Sequence, residues 1–369
     1  MRTQLLITVL LFFTSLSFAQ LGLSSFDVPV DAKSISMGES FVAVNDPLSS
    51  LMYNPASYNP NSGLSVSYSQ RRANLVNDMN QFMYYNASVS YNSPIGEFAF
   101  LYNRLDWGTY DITAGSPAIS GKTHLYDHLF LVKYSYPIAD NLTCGVAIKT
   151  YNIIEVLTAG YSSAPMLETT SLPVLVDIGA LYSKSLLPSD QDVKDKLTFG
   201  LSIQNYGSDF RQKGDLAIEF VRLPRYARIG FSYLLSTSPD KQSSPSILGV
   251  QISGEYRNLL NPLPSQGSER DYWGFGSELT VYELLSLRIG GDIMPYTGAY
   301  GNKGVPSVRY GVGIKFPFKY LGVNTPLRLH VGYAGIPLNS LVDYSFENAK
   351  ATLQVFSLGV DYPLNNSNQ

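Results

Sequence analysis

Strict alternation of apolar and polar residues, in stretches of about ten, recurs from Gly63 to the C-terminus. It constrains this chain more than any other feature. In "LRLHVGY", Leu327, Leu329, Val331 and Tyr333 alternate with Arg328, His330 and Gly332. In "VRYGVGIKF", Val308, Tyr310, Val312, Ile314 and Phe316 alternate with Arg309, Gly311, Gly313 and Lys315. "LSLRIGGDI" and "LTCGVAIKTY" do the same, with Leu287 and Ile289 opposite Arg288 and Asp292, and Val146 and Ile148 opposite Gly145 and Lys149. A period of two puts one residue set on each face of a β-sheet. Beyond residue 20 there is no run of 18 apolar residues, so helical membrane spans are excluded.

Fourteen such strands are predicted, near 63–72, 82–92, 95–106, 123–137, 142–154, 173–184, 196–206, 224–235, 247–258, 271–282, 285–294, 307–318, 326–335 and 352–363. Most reach ten residues. Strands of soluble domains average about five or six, whereas a tilted membrane strand needs about 9–11. Connections after the second, fourth and tenth strands are short ("SPIG", "IADN", "YELL"). Those after the third and fifth are long ("DWGTYDITAGSPAISGK", "EVLTAGYSSAPMLETTSL"). An even number of strands with short turns at one end and long loops at the other is the pattern of a bacterial transmembrane β-barrel. Both termini are then expected in the periplasm. Aromatic residues at strand ends, such as Tyr134 and Tyr136, Phe316 and Phe318, Tyr272 with Trp273, and Tyr362, suit an interfacial girdle.

Composition agrees. Charged residues are 15% of the chain, against about 25% in soluble domains. The net charge of −3 and the lack of a basic tract speak against nucleic acid. The single Cys144 excludes an internal disulfide. The first residues, "MRTQLLITVLLFFTSLSFAQ", have one charge, an apolar run and a small-x-small pattern ending at Ala19. This reads as a secretory signal peptide over 1–19. The expected domains are a plug segment over 20–62, an all-β antiparallel barrel of about 14 strands over 63–363, and a tail over 364–369.

The segment "NDPLSSLMYNPASYNP", residues 45–60, fits neither a strand nor a disordered linker. Pro47, Pro55 and Pro60 each follow Asp or Asn, and Leu48, Leu51, Met52 and Tyr53 lie among them. Asp46 before Pro47, and Asn54 before Pro55, are placed to cap short helices. A barrel of fourteen strands is wider than its own side chains can fill, since about eight strands is the filled limit. The segment is therefore expected to fold into the lumen and close it, with glycines on the inner face, such as Gly145, Gly311 and Gly313, leaving room.

Residues 32–56, "AKSISMGESFVAVNDPLSSLMYNPA", resemble the N-terminal signature of the FadL-like outer-membrane barrels, and within these the PorV/PorQ branch. Met37, Gly38, Phe41, Val42, Ala43, Asp46, Pro47, Asn54, Pro55 and Ala56 carry the match, and "FSLGVDY" resembles the closing strand of the same branch. The chain departs from the pattern where Glu39 replaces a second Gly after Met-Gly and where Ser57 replaces a Gly after Asn-Pro-Ala. The resemblance implies the plug motif Met37, Gly38, Phe41, Asp46, Pro47, Asn54, Pro55 and Ala56. It also implies an outer-membrane location in a Gram-negative-type bacterium. Two roles follow from it. PorV/PorQ relatives act in type IX secretion by binding secreted or surface-attached proteins, and FadL-type relatives pass hydrophobic small molecules. The former is favoured by the closer N- and C-terminal likeness. An open apolar cavity would speak for transport, and a lumen filled by plug and ion pairs for partner binding.

No catalytic pattern is evident, and no cofactor is expected. His124 and His128 would stand about 13 Å apart on a strand at roughly 3.3 Å per residue, too far to share a metal ion. Arg288, Asp292, Arg309, Lys315, Arg328 and His330 are expected to point into the lumen. There they either form ion pairs with each other and with the plug or make a basic wall for an anionic group, and pairing is the favoured reading.

Overall fold

The computed structural model describes residues 31–60, 63–73, 82–112, 121–159, 162–188, 192–213, 218–221, 223–237, 246–261, 271–298, 301–323, 325–337 and 352–363. The predicted signal peptide, the segment before residue 31 and the tail 364–369 lie outside these residues.

The strands are β1 (Leu64–Ala73), β2 (Phe82–Ser93), β3 (Gly96–Ile112), β4 (Gly121–Ala139), β5 (Leu142–Ala159), β6 (Ser162–Ser171), β7 (Val174–Lys184), β8 (Val193–Gly207), β9 (Phe210–Lys213), β10 (Ile218–Val221), β11 (Tyr226–Thr237), β12 (Leu248–Leu259), β13 (Asp271–Val281), β14 (Leu285–Gly298), β15 (Gly301–Pro317), β16 (Arg328–Pro337) and β17 (Thr352–Tyr362). Successive wall strands pair antiparallel, β5 with β7 and β8 with β11 included, and β1 pairs with both β2 and β17. The sheet therefore closes on itself as an antiparallel barrel of fourteen wall strands. Closure leaves no edge with unpaired N–H and C=O groups. Among the described residues, no helix is long and apolar enough to cross a membrane.

The three remaining strands, β6, β9 and β10, pair with one another and with β5 at one end of the barrel. The sequence reading treats this region as loop, and it also ends the third and fifth strands too early. β3, β4 and β5 run for 17, 19 and 18 residues. They extend well beyond the length that a membrane crossing requires. The opposite end has tight turns. β2 passes to β3 through Pro94 and Ile95, and β4 to β5 through Asp140 and Asn141.

The alternation seen in the sequence becomes an inside-out barrel. On β15, Val308 and Tyr310 are 56% and 44% exposed, while Arg309 between them is 2% exposed. Val66, Phe100, Val132, Ile148, Ile178, Leu201, Ile229, Ile289 and Leu358 are exposed on the outer wall, whereas Ser69, Asn86, Asn103, Asp177, Ser202 and Ser253 are buried within. An apolar band of this extent is stable against hydrocarbon and not against water. One aromatic position differs from expectation. Trp273 faces outward, but Tyr272 is buried and points into the lumen.

Placing a guanidinium on the band is expected to be costly. Ile289→Arg should reduce folding stability in lipid vesicles by about 2–4 kcal/mol if the position is near the midplane. Urea titration of the refolded protein would measure this, and a change near zero would remove the lipid-facing assignment.

Candidate functional site: the enclosed segment and its seat

Residues 31–60 contact inward-facing groups on strands all round the barrel. The segment begins with one turn of helix, α1 (Ala32–Ser36), capped by Asp31, whose carboxylate accepts from Ser34 N–H at 2.9 Å. Ala32 N–H donates to Ser357 Oγ on β17. Met37 ends the turn, and Gly38 follows with φ +62°. A side chain at Gly38 would be strained there and would run into the carbonyls of Gly291 and Phe275. The Tyr272 hydroxyl donates to the Gly38 carbonyl at 2.6 Å.

Glu39 also has positive φ, +55°. It stands where the related pattern carries glycine. Its carboxylate pairs with Arg309 on β15, and Arg309 Nη2 lies 2.8 Å from Asp292 Oδ1 on β14. The next residues meet β12. Glu255 Oε2 accepts from Phe41 N–H at 2.8 Å and Val42 N–H at 2.7 Å, and its other oxygen lies 2.5 Å from Arg228 Nη1. Arg228 Nε donates to Gln204 Oε1, and Gln204 Nε2 donates to the carbonyls of Met52 and Tyr53. Phe41, Met37, Val44 and Tyr53 form an apolar knot within the segment, with the Phe41 and Tyr53 rings 5.6 Å apart. These wall groups satisfy backbone N–H and C=O groups that have no ladder partner and would be costly if orphaned.

The two caps behave differently from each other. Asp46 Oδ1 accepts from Ser49 N–H at 3.1 Å, and Ser50 N–H bonds the Asp46 carbonyl, so Asp46 and Pro47 open a capped turn. Asn54 caps no helix. Its Oδ1 accepts from Ala56 N–H two residues on, as in an Asx-turn, and its amide donates to the carbonyls of Val42 and Ala180. The amide bridges two parts of the segment and the β7 wall, and Pro55 and Ala56 make a single turn, closed by the Ser57 N–H on the Asn54 carbonyl at 3.3 Å. Pro55 and Ala56 pack against β5 and β7. A Cβ on Gly145 would collide with the Pro55 carbonyl, and one on Gly179 with the Asn54 side chain. Gly311 makes room for Ser36, but Gly313 makes room for Arg288 instead of the segment. Ser57, the second departure, is buried. Its carbonyl accepts from Lys133 and from Ser135 Oγ, and Lys133 lies 2.7 Å from Glu97, both side chains being 0% exposed.

The six expected lumen charges do point inward, and five of them are paired. Arg288 binds Glu278, Arg309 bridges Asp292 and Glu39, and Asp361 has His330 Nε2 at 2.5 Å and Lys315 Nζ at 3.7 Å. Arg328, with Lys315, His330 and Asp361, lines a cavity of about 1150 Å³ between the segment and the short-turn mouth. Lys196, Gln251, Glu278 and Glu283 extend this polar vestibule round the wall. Lys33 and Asp46 face it from the segment, 3.1 Å apart. Burial pushes the Asp46 carboxyl up, but Lys33 and the Ser49 N–H outweigh it and hold the group well below the usual carboxylate range.

The other half of the seat is apolar. Leu51, with Leu48 and Met52 beside it, packs on Ala99 and Leu101 of β3, Leu129 and Leu131 of β4, and Ala147 and Tyr151 of β5. Leu175 of β7 and Leu223, just before β11, complete the cluster. Only a gap of about 20 Å³ lies beside Leu48, Met52 and Leu101. The sequence signal for this wall is the break in alternation at "FAFL" and "LFLV", where both strand faces are apolar. Glu97, Lys133, Arg228 and Glu255 were also missed, although each is an ionisable residue next to an outward-facing apolar or aromatic one, Phe98, Val132, Ile229 and Tyr256. His124 and His128 project from the outer face of β4, and among the described residues no cluster of metal-ligating side chains exists.

The sequence matches no protein-family model and no curated protein. Several solved structures are similar. The toluene transporter TbuX of Ralstonia pickettii gives a TM-score of 0.47 and 11% identity, over 95% of this chain and 98% of that one. The toluene transporter TodX of Pseudomonas putida gives 0.47 and 11%, over 94% and 99%. A FadL homologue of Pseudomonas aeruginosa gives 0.46 and 14%, over 92% and 99%.

Two expectations follow from this seat. Glu255→Ala removes the carboxylate that faces Arg228 and that accepts the Val42 N–H, so it should cost about 3–5 kcal/mol, with Glu255→Gln milder. Denaturant unfolding in vesicles would read both. The depressed Asp46 carboxyl means that its pairing with Lys33 stabilises the fold above the ordinary carboxylate pKa. That stability is lost only as pH falls through the lower folded value. The share of the protease protection of residues 31–60 that Asp46→Asn removes should therefore be the same at pH 7 and pH 4.5, and a smaller share at pH 4.5 would contradict the pairing.

Proposed function

We propose that this chain spans an outer membrane, is closed at rest by residues 31–60, and passes small hydrophobic molecules when the turn at 47–52 moves. One observation carries the reading: in an otherwise polar lumen, an apolar column runs from Leu223 through Leu175, Leu129, Leu131 and Leu101 to Leu51 and Leu48. Along it Leu48 and Leu51 are held by apolar contact, while the ion-paired and hydroxyl anchors at Glu255, Arg309 and Tyr272 sit on other strands and Lys133 holds Ser57 farther along β4. Shifting the turn then uncovers apolar surface without breaking a buried ion pair. Leu64 and Tyr362, the first and last wall positions that pair, lie at the short-turn end, and in this reading that end faces the periplasm, as in other bacterial barrels.

A second reading, binding of secreted or surface-attached proteins in the manner of PorV/PorQ relatives, draws on the vestibule. Its mixed charges and its volume of about 1150 Å³ suit a polypeptide better than an apolar solute.

Vesicles carrying the protein should take up a radiolabelled monoaromatic hydrocarbon faster than protein-free vesicles. Leu129→Asn, which puts an unpaired amide in the column, should slow uptake about tenfold. Deleting residues 41–56 should raise ion conductance in planar bilayers. Uptake equal to that of protein-free vesicles would reject transport. Affinity purification from native membranes would then show whether a protein partner takes its place.

A further inference from the structure

The outer wall is apolar, yet one sector of it is not. On β3 the outward residues run Phe98, Phe100 and Tyr102, then Arg104 and Asp106. On β4 they run Tyr134, Val132 and Phe130, then His128, Tyr126 and His124. Arg104 pairs in register with His128, and Asp106 with Tyr126. The apolar run thus stops at the same level on both strands, on the side of the long loops.

Above that level the groups converge. Asp106 takes Arg104 Nη2 at 3.1 Å on one oxygen and His124 Nε2 at 2.8 Å on the other. Arg104 lies 5.1 Å from the Tyr126 ring centroid, and the Tyr102 hydroxyl is 2.7 Å from His128 Nδ1. A bulge between Asp106 and Gly108, with Gly108 at φ +83°, turns Asp106 so that it also accepts from the Gly108 N–H. One carboxylate is thus shared by a guanidinium and an imidazole, and Arg104 Nε is buried without a hydrogen-bond partner. The Arg104 and His124 side chains are nonetheless 38% exposed.

We infer that this sector binds the phosphate headgroup of an anionic lipid, with the acyl chains lying along Phe100, Phe130 and Val132. The inference rests on the lipid-facing reading of the outer band. A guanidinium on such a face is costly unless it reaches the interface and meets an anion. A phosphate supplies several acceptor oxygens to an arginine fork. The adjacent apolar strip fixes the source, because a phosphate attached to acyl chains gains contacts that a free phosphate lacks.

The test uses the full chain refolded into phosphatidylethanolamine vesicles containing lipid A that bears both phosphates, followed by native mass spectrometry of the extracted protein. The parent should retain lipid A, and the Arg104→Ala, His124→Gln double variant should retain about tenfold less, as expected for lost charge-assisted hydrogen bonds. Arg104→Lys should fall between them. Lipid A without phosphates should be retained no better by the parent than by the double variant. Heat-modifiable electrophoretic migration checks that each variant is folded. Equal retention by parent and folded double variant, or equal retention of phosphorylated and unphosphorylated lipid, overturns the site alone. Failure of the parent to insert into vesicles overturns the lipid-facing band and the site together.

Discussion

The pairing of β1 with β17, from Leu64 opposite Tyr362 to Arg72 opposite Gln354, is the constraint on which the rest of the structure depends. Once the sheet closes, each of the fourteen wall strands has a hydrogen-bonded neighbour on both sides, and side chains decide which face meets which medium. With fourteen wall strands, closure also creates a lumen that the wall cannot fill by itself. Outside the apolar wall of β3 to β7, many inward residues are accordingly small or polar. Gly145, Gly200, Gly276 and Gly290 admit the backbone of the segment itself, since a Cβ at any of them would strike main-chain atoms of residues 37–56. Wall and segment are in this sense one packing problem, because the positions of these glycines have no other use in the barrel.

Buried charge in this lumen has a particular origin. The segment has only one turn of helix in thirty described residues, so most of its N–H and C=O groups have no partner in regular structure. An apolar wall would orphan them, at about 1–3 kcal/mol each. Glu255 answers two adjacent N–H groups, Gln204 two adjacent carbonyls, and Lys133 and Ser135 a third carbonyl. Those ionised groups then need counter-charges, which Arg228 and Glu97 provide. Such pairs add little net stability compared with an apolar core. What they add is register, since Glu255 and Arg309 each meet a fixed part of the segment.

The barrel was legible in the sequence because period-two alternation is a local signal and strand length is another. The fourteen wall strands could be placed within a few residues for that reason. The inward direction of Arg288, Asp292, Arg309, Lys315, Arg328 and His330 followed from phase alone. Partner choice did not follow, because Glu39 lies 270 residues from Arg309 in the chain and no local pattern links them. Asn54 shows the limit of a local signal: its Oδ1 accepts the Ala56 N–H as a cap oxygen does, but no helix follows, and its amide goes to the distant carbonyls of Val42 and Ala180. Tyr272 was assigned to the girdle by its neighbour Trp273, although the period of two places adjacent residues on opposite faces.

The seat divides the lumen into halves of different chemistry, and the division bears on motion. From β11 to β15 the segment is fixed by ion pairs and by hydrogen bonds to its own backbone. Such contacts are directional, so a shift of an ångström breaks them. From β3 to β5 the contacts of Leu48, Leu51 and Met52 are dispersive and non-directional. They change little when one methyl slides over another. A displacement of the Leu48 to Met52 turn therefore costs least along the β3 to β5 wall, while Ser57 and Asn59 stay anchored there by Lys133, Ser135 and Glu97. The turn opened by Asp46 lies on that side, with the vestibule below it and Leu223 at the far end of the column. The softest part of the seat thus coincides with the most apolar part of the wall.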